Sequence, residues 1–247
     1  MTQEELIKQI VGNTEGFIRA VQETDSVLNN TIEPFPENIE ALRQYAVSAY
    51  WSHGQIVNVF EVIGTAHADY IGATWITMLR LGKRMRSINL PLLQENPQYY
   101  CDLAQKEPEM HYTRLNGKLF ISGEGNHRTA IAKALFAFLG WQNFGAVKYE
   151  ELWIDEEAMR LCGEAQQLIL QKGLPMLLEP RRTAVKREDT PGWKKDFYDL
   201  SFRLANAKTG REKILSRAEL REFCRALDSA SWWSRVARLG QIGKFLV

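Results

Sequence analysis

The sequence has few cysteines and no long hydrophobic segment. Cys101, Cys162 and Cys224 are far apart and odd in number, which excludes a disulfide framework and a CxxC metal-binding motif. The most hydrophobic segment, residues 56–63, is short and interrupted by polar residues, whereas a membrane span needs about 18 apolar residues. The first ten residues carry an acidic pair where a secretory signal has basic residues. We therefore expect a cytoplasmic protein without a membrane span.

The motifs of several enzyme classes are absent as well. The sequence contains no GxSxG, no Walker GxxxxGK[ST] and no complete GxGxxG dinucleotide fingerprint. Its four histidines, His53, His67, His111 and His127, fall in no HxxxH or HExxH spacing, so the spacing argues against a preformed zinc site.

The overall composition is that of a globular protein, but the charge is divided unevenly. Of 247 residues, 45% are hydrophobic and 25% charged, and the net charge is +1. Residues 181–247 hold 16 Lys and Arg against 8 Asp and Glu, while the rest holds 15 against 22. This basic part is either a solvated or intramolecular docking face, or a surface for a nucleic-acid backbone such as DNA. The candidate nucleic-acid contacts are Arg181, Arg182, Lys186, Arg187, Lys194 and Lys195.

The first part of the chain is predicted to be helical. Apolar residues recur every three or four positions over residues 36–64, which predicts a helix with one buried stripe. A second stripe begins at Ile71 and runs into basic residues, which suit a helix C-terminus. Shorter helices are expected before Asn30. Asn96-Pro97 predicts the start of a short helix through residue 105.

The middle of the chain changes from a helical to a mixed pattern. Residues 110–115 and 118–122 favour β-structure and flank Asn116-Gly117, which is typical of a hairpin. A glycine-containing loop then leads into a helix over residues 129–139, which ends at Gly140. The other predicted elements of this part are a strand over residues 144–149 and a helix from Asp155 toward Lys172.

The last part has an α+β pattern. Apolar and polar residues alternate over residues 198–205, which predicts a strand, and Ser216 with Glu219 forms a capping box before a basic helix. Residues 178–192 contain two prolines and several charges and are the best linker candidate. The predicted fold is α+β and mostly helical, with a helical N-terminal region (1–87), a central region with a small mixed sheet (88–177) and a basic α+β C-terminal region (178–247).

The richest chemistry lies in residues 122–128. A glycine-containing loop that runs into a helix leaves backbone N–H groups pointing outward at the positive end of the helix dipole. Gly123 and Gly125 allow a ligand to approach the backbone closely, while His127 and Arg128 add donors. The carboxylate of Glu124 would repel a phosphate, unless a divalent metal lies between them or the carboxylate acts as a general base.

A purely structural interpretation of the same loop stays open. In it the glycines serve the turn, Asn126 caps the helix, His127 is a surface donor and Arg128 pairs with a nearby acid.

Residues 117–135, GKLFISGEGNHRTAIAKAL, resemble the signature of the ParB/sulfiredoxin superfamily, a strand followed by a glycine-rich loop with His-Arg and a helix that begins with small residues. The resemblance implies a ParB/sulfiredoxin-like mixed sheet and a loop that binds nucleotide phosphates, in proteins that act as NTPases, nucleases, kinases or sulfinic-acid reductases. It implies that Gly125, His127 and Arg128 bind phosphate. Glu124 lies in the loop that, in some members, supplies an acidic catalytic residue. The full set of candidate nucleotide-binding residues is Ser122, Gly123, Gly125, Asn126, His127, Arg128 and Thr129.

Departures from the family pattern narrow the function. Sulfiredoxins have a reactive Cys where this chain has Asn126, which excludes sulfinic-acid repair. Chromosome-partitioning members have a Glu-Arg-Arg box and a helix-turn-helix reader, which this sequence does not match. The helical N-terminal region resembles that of plasmid fertility-inhibition proteins, which combine ATPase and DNase activity and inhibit conjugation.

Two classes of function follow as predictions. The first is a metal-dependent phosphate hydrolase, an NTPase with or without DNase activity, that uses ATP or CTP with Mg²⁺. In it Glu124 holds the metal or activates water, and His127 and Arg128 stabilise charge. The second is a non-catalytic protein that uses the fold as a scaffold to bind DNA or to block a protein of a DNA-transfer machine.

Overall fold

The computed structural model describes residues 2–24 and 27–229, and the chain divides into two compact units. The first unit comprises Met1–Glu37, Tyr50–Glu151 and Asp189–Lys194, and the second comprises Asn38–Ala49, Leu152–Glu188 and Lys195–Val247. Helices account for 43% and strands for 33% of the described residues, which confirms the α+β class.

The bounds of the described elements follow. The helices are α1 (Gln3–Val11), α2 (Thr14–Thr24), α3 (Ile39–Arg43), α4 (Trp75–Leu81), α5 (Leu90–Glu95), α6 (Gln98–Cys101), α7 (Asn126–Leu139), α8 (Glu156–Gln171) and α9 (Arg217–Ser229). The strands are β1 (Glu33–Pro34), β2 (Ala46–Asn58), β3 (Val62–Thr65), β4 (His111–Leu115), β5 (Lys118–Ile121), β6 (Asn143–Ile154), β7 (Met176–Thr190), β8 (Trp193–Asn206) and β9 (Glu212–Leu215).

The first unit places a buried helix beside a mixed sheet. Its strands follow the order β1-β3-β5-β4-β6-β2, with β3 parallel to β5 and β4 antiparallel to β5. The predicted hairpin is confirmed, because Asn116 and Gly117 both have positive φ, 44° and 86°, between β4 and β5. The predicted helix after the loop is also confirmed, and it ends at Gly140 with φ 70°. Ile131 and Leu135 of α7 are fully buried in the core of this unit.

The second unit has its own core around two amphipathic helices. Both β7 and β9 pair with β8, and the β8–β9 pairing is antiparallel. Leu161 of α8 and Phe223 of α9 lie in this core with Phe202 of β8. The predicted helix from Asp155 and the Ser216 capping box are confirmed: Glu219 N–H donates to Ser216 Oγ at 3.2 Å, and Ser216 N–H donates to Glu219 Oε2 at 2.8 Å.

The prediction of a helix over residues 36–64 is wrong, because most of this stretch forms β2 and β3. The buried residues among the first seven of β2 are Ala46, Ser48 and Ser52, all on the same face of a strand, which fits the two-residue period of a strand. β2 is rich in β-branched and aromatic residues such as Trp51 and Val57, which pack well on a sheet. The spacing of apolar residues alone does not distinguish a helix from a strand in this stretch.

Two further predictions differ from the structure. The linker predicted at residues 178–192 is wrong, because β7 covers most of it and Pro191-Gly192 forms the turn into β8. Pro180 is tolerated because β7 lies at the end of the strand order, where a missing N–H is not needed for pairing. The first unit alone has six described strands in its mixed sheet, which is therefore not small as predicted. Of the predicted C-terminal region, residues 230–247 lie outside the described residues, and the three-region division stays a prediction.

A buried lysine fixes the segment between α6 and β4. Lys106 is 2% exposed, and its ammonium donates to the Tyr99 carbonyl at 2.6 Å and to the Asp102 carbonyl and Oδ1 at 2.9 Å each. The nitrogen also lies 5.0 Å from the ring centroid of Phe144. Since all three donors of the ammonium are used, burial of this charge is compensated.

None of the helices within residues 2–24 and 27–229 is long and apolar enough to cross a membrane.

Candidate functional site

The loop between β5 and α7 is the centre of the candidate site. Gly125, the N-cap of α7, has φ 122°, and a Cβ added to it would lie 2.8 Å from Met110 Cε. Only glycine fits this position without strain. The helix has no side-chain cap hydrogen bond and no acidic residue in its first turn. Its first N–H groups have no carbonyl partner one turn earlier within the helix, so the positive end of the dipole is available to a ligand.

Two of the predicted site residues hold the loop in shape. Asn126 is 9% exposed, and its Oδ1 accepts a hydrogen bond of 2.5 Å from Thr65 Oγ1. Thr129 is fully buried, donates to the Gly125 carbonyl at 2.8 Å and contacts the Tyr112 hydroxyl at 2.6 Å. Both side chains are therefore committed to the protein, and in this structure they are supports of the loop rather than ligand contacts.

Arg128 is directed to the segment before β4. Its Nη1 donates to the Tyr99 hydroxyl at 2.8 Å and to the Pro108 carbonyl, and its Nη2 donates to the Glu109 carbonyl at 3.2 Å. The guanidinium carbon lies 5.9 Å from the Tyr99 ring centroid. The structure thus brings Arg128 to backbone carbonyls, neither to an acid nor to the N–H groups at the start of α7.

His127 lies within a small polar cluster. Its Nε2 is 2.9 Å from the Tyr70 hydroxyl, and the Tyr70 ring lies against His67 with a centroid distance of 4.6 Å. The pKa of His127 is lowered from its ordinary value, mainly by burial, and electrostatic interactions with His67, Arg84 and Arg128 lower it further. A hydrogen bond with the Lys83 backbone acts in the opposite direction. The imidazole is therefore neutral at pH 7, in surroundings that favour an anion.

The remaining predicted loop residues lie at the surface. Gly123 and Glu124 are exposed and Ser122 is half-buried. Two backbone hydrogen bonds join the loop to the start of β4, from His111 N–H to the Glu124 carbonyl and from Ser122 N–H to the His111 carbonyl, both 3.0 Å. The Glu124 carboxylate is thus presented to solvent beside the start of α7.

A second polar cluster, which the sequence analysis missed, lies beside the loop. His111 Nε2 is 3.4 Å and His53 Nδ1 is 3.9 Å from oxygens of the Glu109 carboxylate, and Lys148 Nζ lies 3.8 Å from it. A Cβ added to Gly123 would lie 3.0 Å from His111 Nδ1. These residues come from three strands and the chain just before one of them, so no sequence spacing could have revealed them.

The basic residues predicted to contact nucleic acid lie along β7 and β8. Two of them are paired with acids: Arg187 with Asp196 at 2.6 Å, and Lys186 with Glu188 at 2.5 Å. The others are placed on aromatic rings or extend from the strands. The six residues are Arg181, Arg182, Lys186, Arg187, Lys194 and Lys195.

Comparison with known proteins gives no relative: no family model, curated protein or solved structure matches the chain.

Proposed function

We propose that the chain binds the triphosphate of a nucleotide, ATP or CTP, at the start of α7 and hydrolyses a phosphate bond with the help of Mg²⁺. The observation that supports this most is the concentration of anion-binding features around one loop. The uncapped first turn of α7, the imidazoles of His127 and His67 and the positive charge of Arg84 all act on the same place.

The helix start alone would be weak support, but it differs from the starts of the other described helices of seven or more residues. Side chains cap the other described helices of seven or more residues. The caps are Thr2 for α1, Asn13 for α2, Thr74 for α4, Asp155 for α8 and Ser216 for α9. At α7 the corresponding N–H groups are left for a bound anion.

The residues around the loop would have different roles in binding a phosphate. Arg84 supplies a charge that does not change with pH. His127, neutral before binding, donates or accepts a hydrogen bond and gains a proton more readily once a phosphate is near. The positions of Thr129 and Asn126 keep the backbone of the loop rigid, which preserves the direction of its N–H groups.

The donor set of the loop fits a metal ion that arrives with the nucleotide. Among the described residues no group of three metal-ligating side chains occurs, and Glu124 is the carboxylate at the loop. Mg²⁺ is commonly held by one or two carboxylates together with phosphate oxygens and water. Glu124 would hold the ion, which would neutralise phosphate charge and offset the repulsion between carboxylate and phosphate.

Binding of ATP and CTP with and without Mg²⁺, measured by calorimetry, tests the site. We expect Arg84→Ala and His127→Ala each to weaken binding about tenfold, because each removes a contact to a charged group. Arg80→Ala is the matched control, since it removes the same charge from the preceding helix, α4. Equal losses in the Arg80 and Arg84 variants would show a general field effect and contradict a specific site.

Turnover tests the role of Glu124. Glu124→Gln should keep nucleotide binding within a few fold while reducing Mg²⁺-dependent phosphate release at least about 100-fold, since it removes the base or metal carboxylate. Unchanged turnover in this variant would overturn the hydrolytic part of the proposal and leave a binding protein.

DNA binding by the second unit is a second candidate function. Arg182 stacks on the Tyr198 ring at 4.1 Å, and Lys186 and Lys195 lie 5.4 and 5.1 Å from the Phe197 ring centroid. Cations beside aromatic rings on a β-surface suit the phosphates and bases of a single strand. The ion pairs of Lys186 and Arg187 do not prevent this, because exposed pairs contribute only about 0–1 kcal/mol and phosphates can replace them.

The dependence of DNA affinity on salt tests this candidate. Arg182→Ala with Lys195→Ala should lower affinity for single-stranded DNA and reduce the slope of log affinity against log salt by about 1.4, or about 0.7 for each phosphate that the variant no longer neutralises. Lys208→Ala, at an exposed position in the turn between β8 and β9, serves as the control of equal charge type. Affinity that does not change with ionic strength would exclude this function.

A further inference from the structure

The first unit contains a cavity of about 270 Å³ beside α5, α6 and the start of α7. Leu93 and Tyr100 are almost fully buried in its wall, while Leu92, also in the lining, is 52% exposed. A concave apolar site with a few polar groups is the usual form of a small-molecule site. The exposed leucine at such a place is an apolar surface that a ligand would cover.

Arg128 supplies the cavity with a donor pair. The three hydrogen bonds to Tyr99, Pro108 and Glu109 use both Nη1 hydrogens and one Nη2 hydrogen. They leave the Nε–H and one Nη2–H, for which the described residues provide no acceptor. The atoms Nε and Nη2 lie along one edge of the guanidinium, the fork that can bind a carboxylate through two parallel hydrogen bonds. The contacts to Pro108 and Glu109 hold this fork in place before a ligand arrives.

A carboxylate also lines the cavity. Glu107 is exposed, and among the described residues it has no cationic partner within 4.0 Å. Burial raises the pKa of Tyr99, the nearby charge of Arg128 lowers it, and that of Glu107 raises it. Arg128 and Glu107 therefore both lie near the Tyr99 phenol, but they do not form an ion pair with each other.

We propose that this cavity binds a free α-amino acid with a large apolar side chain. The ligand carboxylate lies on the Arg128 fork, its ammonium faces Glu107, and its side chain contacts Leu92, Leu93 and Tyr100. A simple organic acid would be repelled by Glu107, and a simple amine by Arg128. A ligand that carries both charges turns each repulsion into an attraction.

Titration calorimetry with L-phenylalanine and L-leucine tests the ligand class. Each of three probes removes one feature of the ligand: L-phenylalaninamide lacks the carboxylate, 3-phenylpropanoate the ammonium, and glycine the side chain. Each probe should bind at least about tenfold more weakly than L-phenylalanine, because each leaves one part of the cavity unmatched. Equal affinity of 3-phenylpropanoate and L-phenylalanine would overturn the proposal, as would no detectable binding of either amino acid.

Variants of the chain test the assigned contacts. Glu107→Gln, at an exposed position that does not threaten folding, should weaken L-phenylalanine about tenfold and leave 3-phenylpropanoate unchanged or tighter. Arg128→Lys keeps the charge but loses the fork, and it should weaken both ligands about tenfold. Unchanged L-phenylalanine affinity in Glu107→Gln would overturn the proposal.

The cavity is independent of the proposed nucleotide site, and one control separates them. Arg84→Ala, which should weaken ATP, should leave L-phenylalanine affinity unchanged within twofold. ATP should not displace the amino acid. Competition between the two ligands would make the cavity part of the nucleotide site and overturn this inference.

Discussion

Helices α7 and α8 begin in opposite ways. At α8, Asp155 Oδ1 accepts a hydrogen bond of 3.0 Å from Ala158 N–H, and Glu156 and Glu157 follow in the first turn. Arg217 also pairs with Asp155. At α7 the N-cap is Gly125, with no side-chain cap, and His127 and Arg128 follow.

The difference in capping determines whether each helix start can bind an external anion. The acids of α8 satisfy its N–H groups and its dipole within the protein, so an external anion would meet negative charge there. The first turn of α7 offers N–H groups and positive surroundings, and other residues compensate for its missing cap. Thr65 and Tyr112 hold Asn126 and Thr129, and thereby the loop, in place.

The largest effect should come from Gly125, the residue that makes the α7 start possible. Gly125→Ala should lower the free energy of unfolding by about 3 kcal/mol, because the residue has φ 122° and its Cβ would press on Met110. Gly163→Ala in α8 is the matched control, with nothing within 4 Å of the new Cβ. It should stabilise the protein by about 1 kcal/mol in urea unfolding. A loss of stability at Gly163 similar to that at Gly125 would contradict the argument.

Removal of the α8 cap should have a smaller effect. Asp155→Ala should cost about 1–2 kcal/mol in the same measurement, since an N–H group loses its acceptor and Arg217 its partner. Asp155→Asn, which can still cap, should recover part of this loss. Phosphate binding at α7 should not change in either variant, and a parallel loss of phosphate binding would show that the two helix starts are not independent.

Making α7 resemble α8 should remove its affinity for anions. In the parent protein, phosphate at about ten times its dissociation constant should add about 1.4 kcal/mol of stability. In His127→Glu, which places an acid in the first turn, thermal unfolding should no longer respond to phosphate. A similar response in both proteins would show that phosphate binds elsewhere.

The smallest expected effect is the pH dependence of the free energy of unfolding that His127 of α7 causes. Because the folded-state pKa of His127 lies below its ordinary value of 6.5, the unfolded chain binds the proton more readily. Its contribution to stability is complete above about pH 6.5 and is lost as the pH falls toward the folded-state pKa. His127→Gln should show a weaker loss of stability over this range in urea unfolding; an identical loss would assign the effect to other groups.

The sequence predicts local structure well where turn chemistry decides it. Asn116-Gly117, Gly140 and the Ser216 capping box each specify a conformation through the residues themselves, and all three are confirmed. The error over residues 36–64 has a different origin. There the same apolar spacing suited both a helix and a strand, and the decision rested on pairing with strands distant in the sequence.

The sequence predicts where the candidate site lies, but not which side chains surround it. The loop and the helix that follows it were predicted, whereas the direction of Arg128 depends on carbonyls about twenty residues earlier, at Pro108 and Glu109. Tyr70, which contacts His127, and Arg84, whose charge acts on it, come from the region predicted to be wholly helical. No sequence pattern near the loop predicts that Tyr70 and Arg84 act on His127.

The buried ammonium of Lys106 makes the segment between α6 and β4 chemically traceable. An amine that donates to three oxygens and is almost closed to solvent is a poor nucleophile toward acylating reagents, whereas the exposed Lys118 should acylate freely. Mass spectrometry after brief acylation would therefore report each opening of this segment as a modified Lys106. The same segment carries Glu107 of the cavity wall, and α6 just before it carries Tyr99 and Tyr100. A ligand in the cavity should therefore slow the labelling of Lys106.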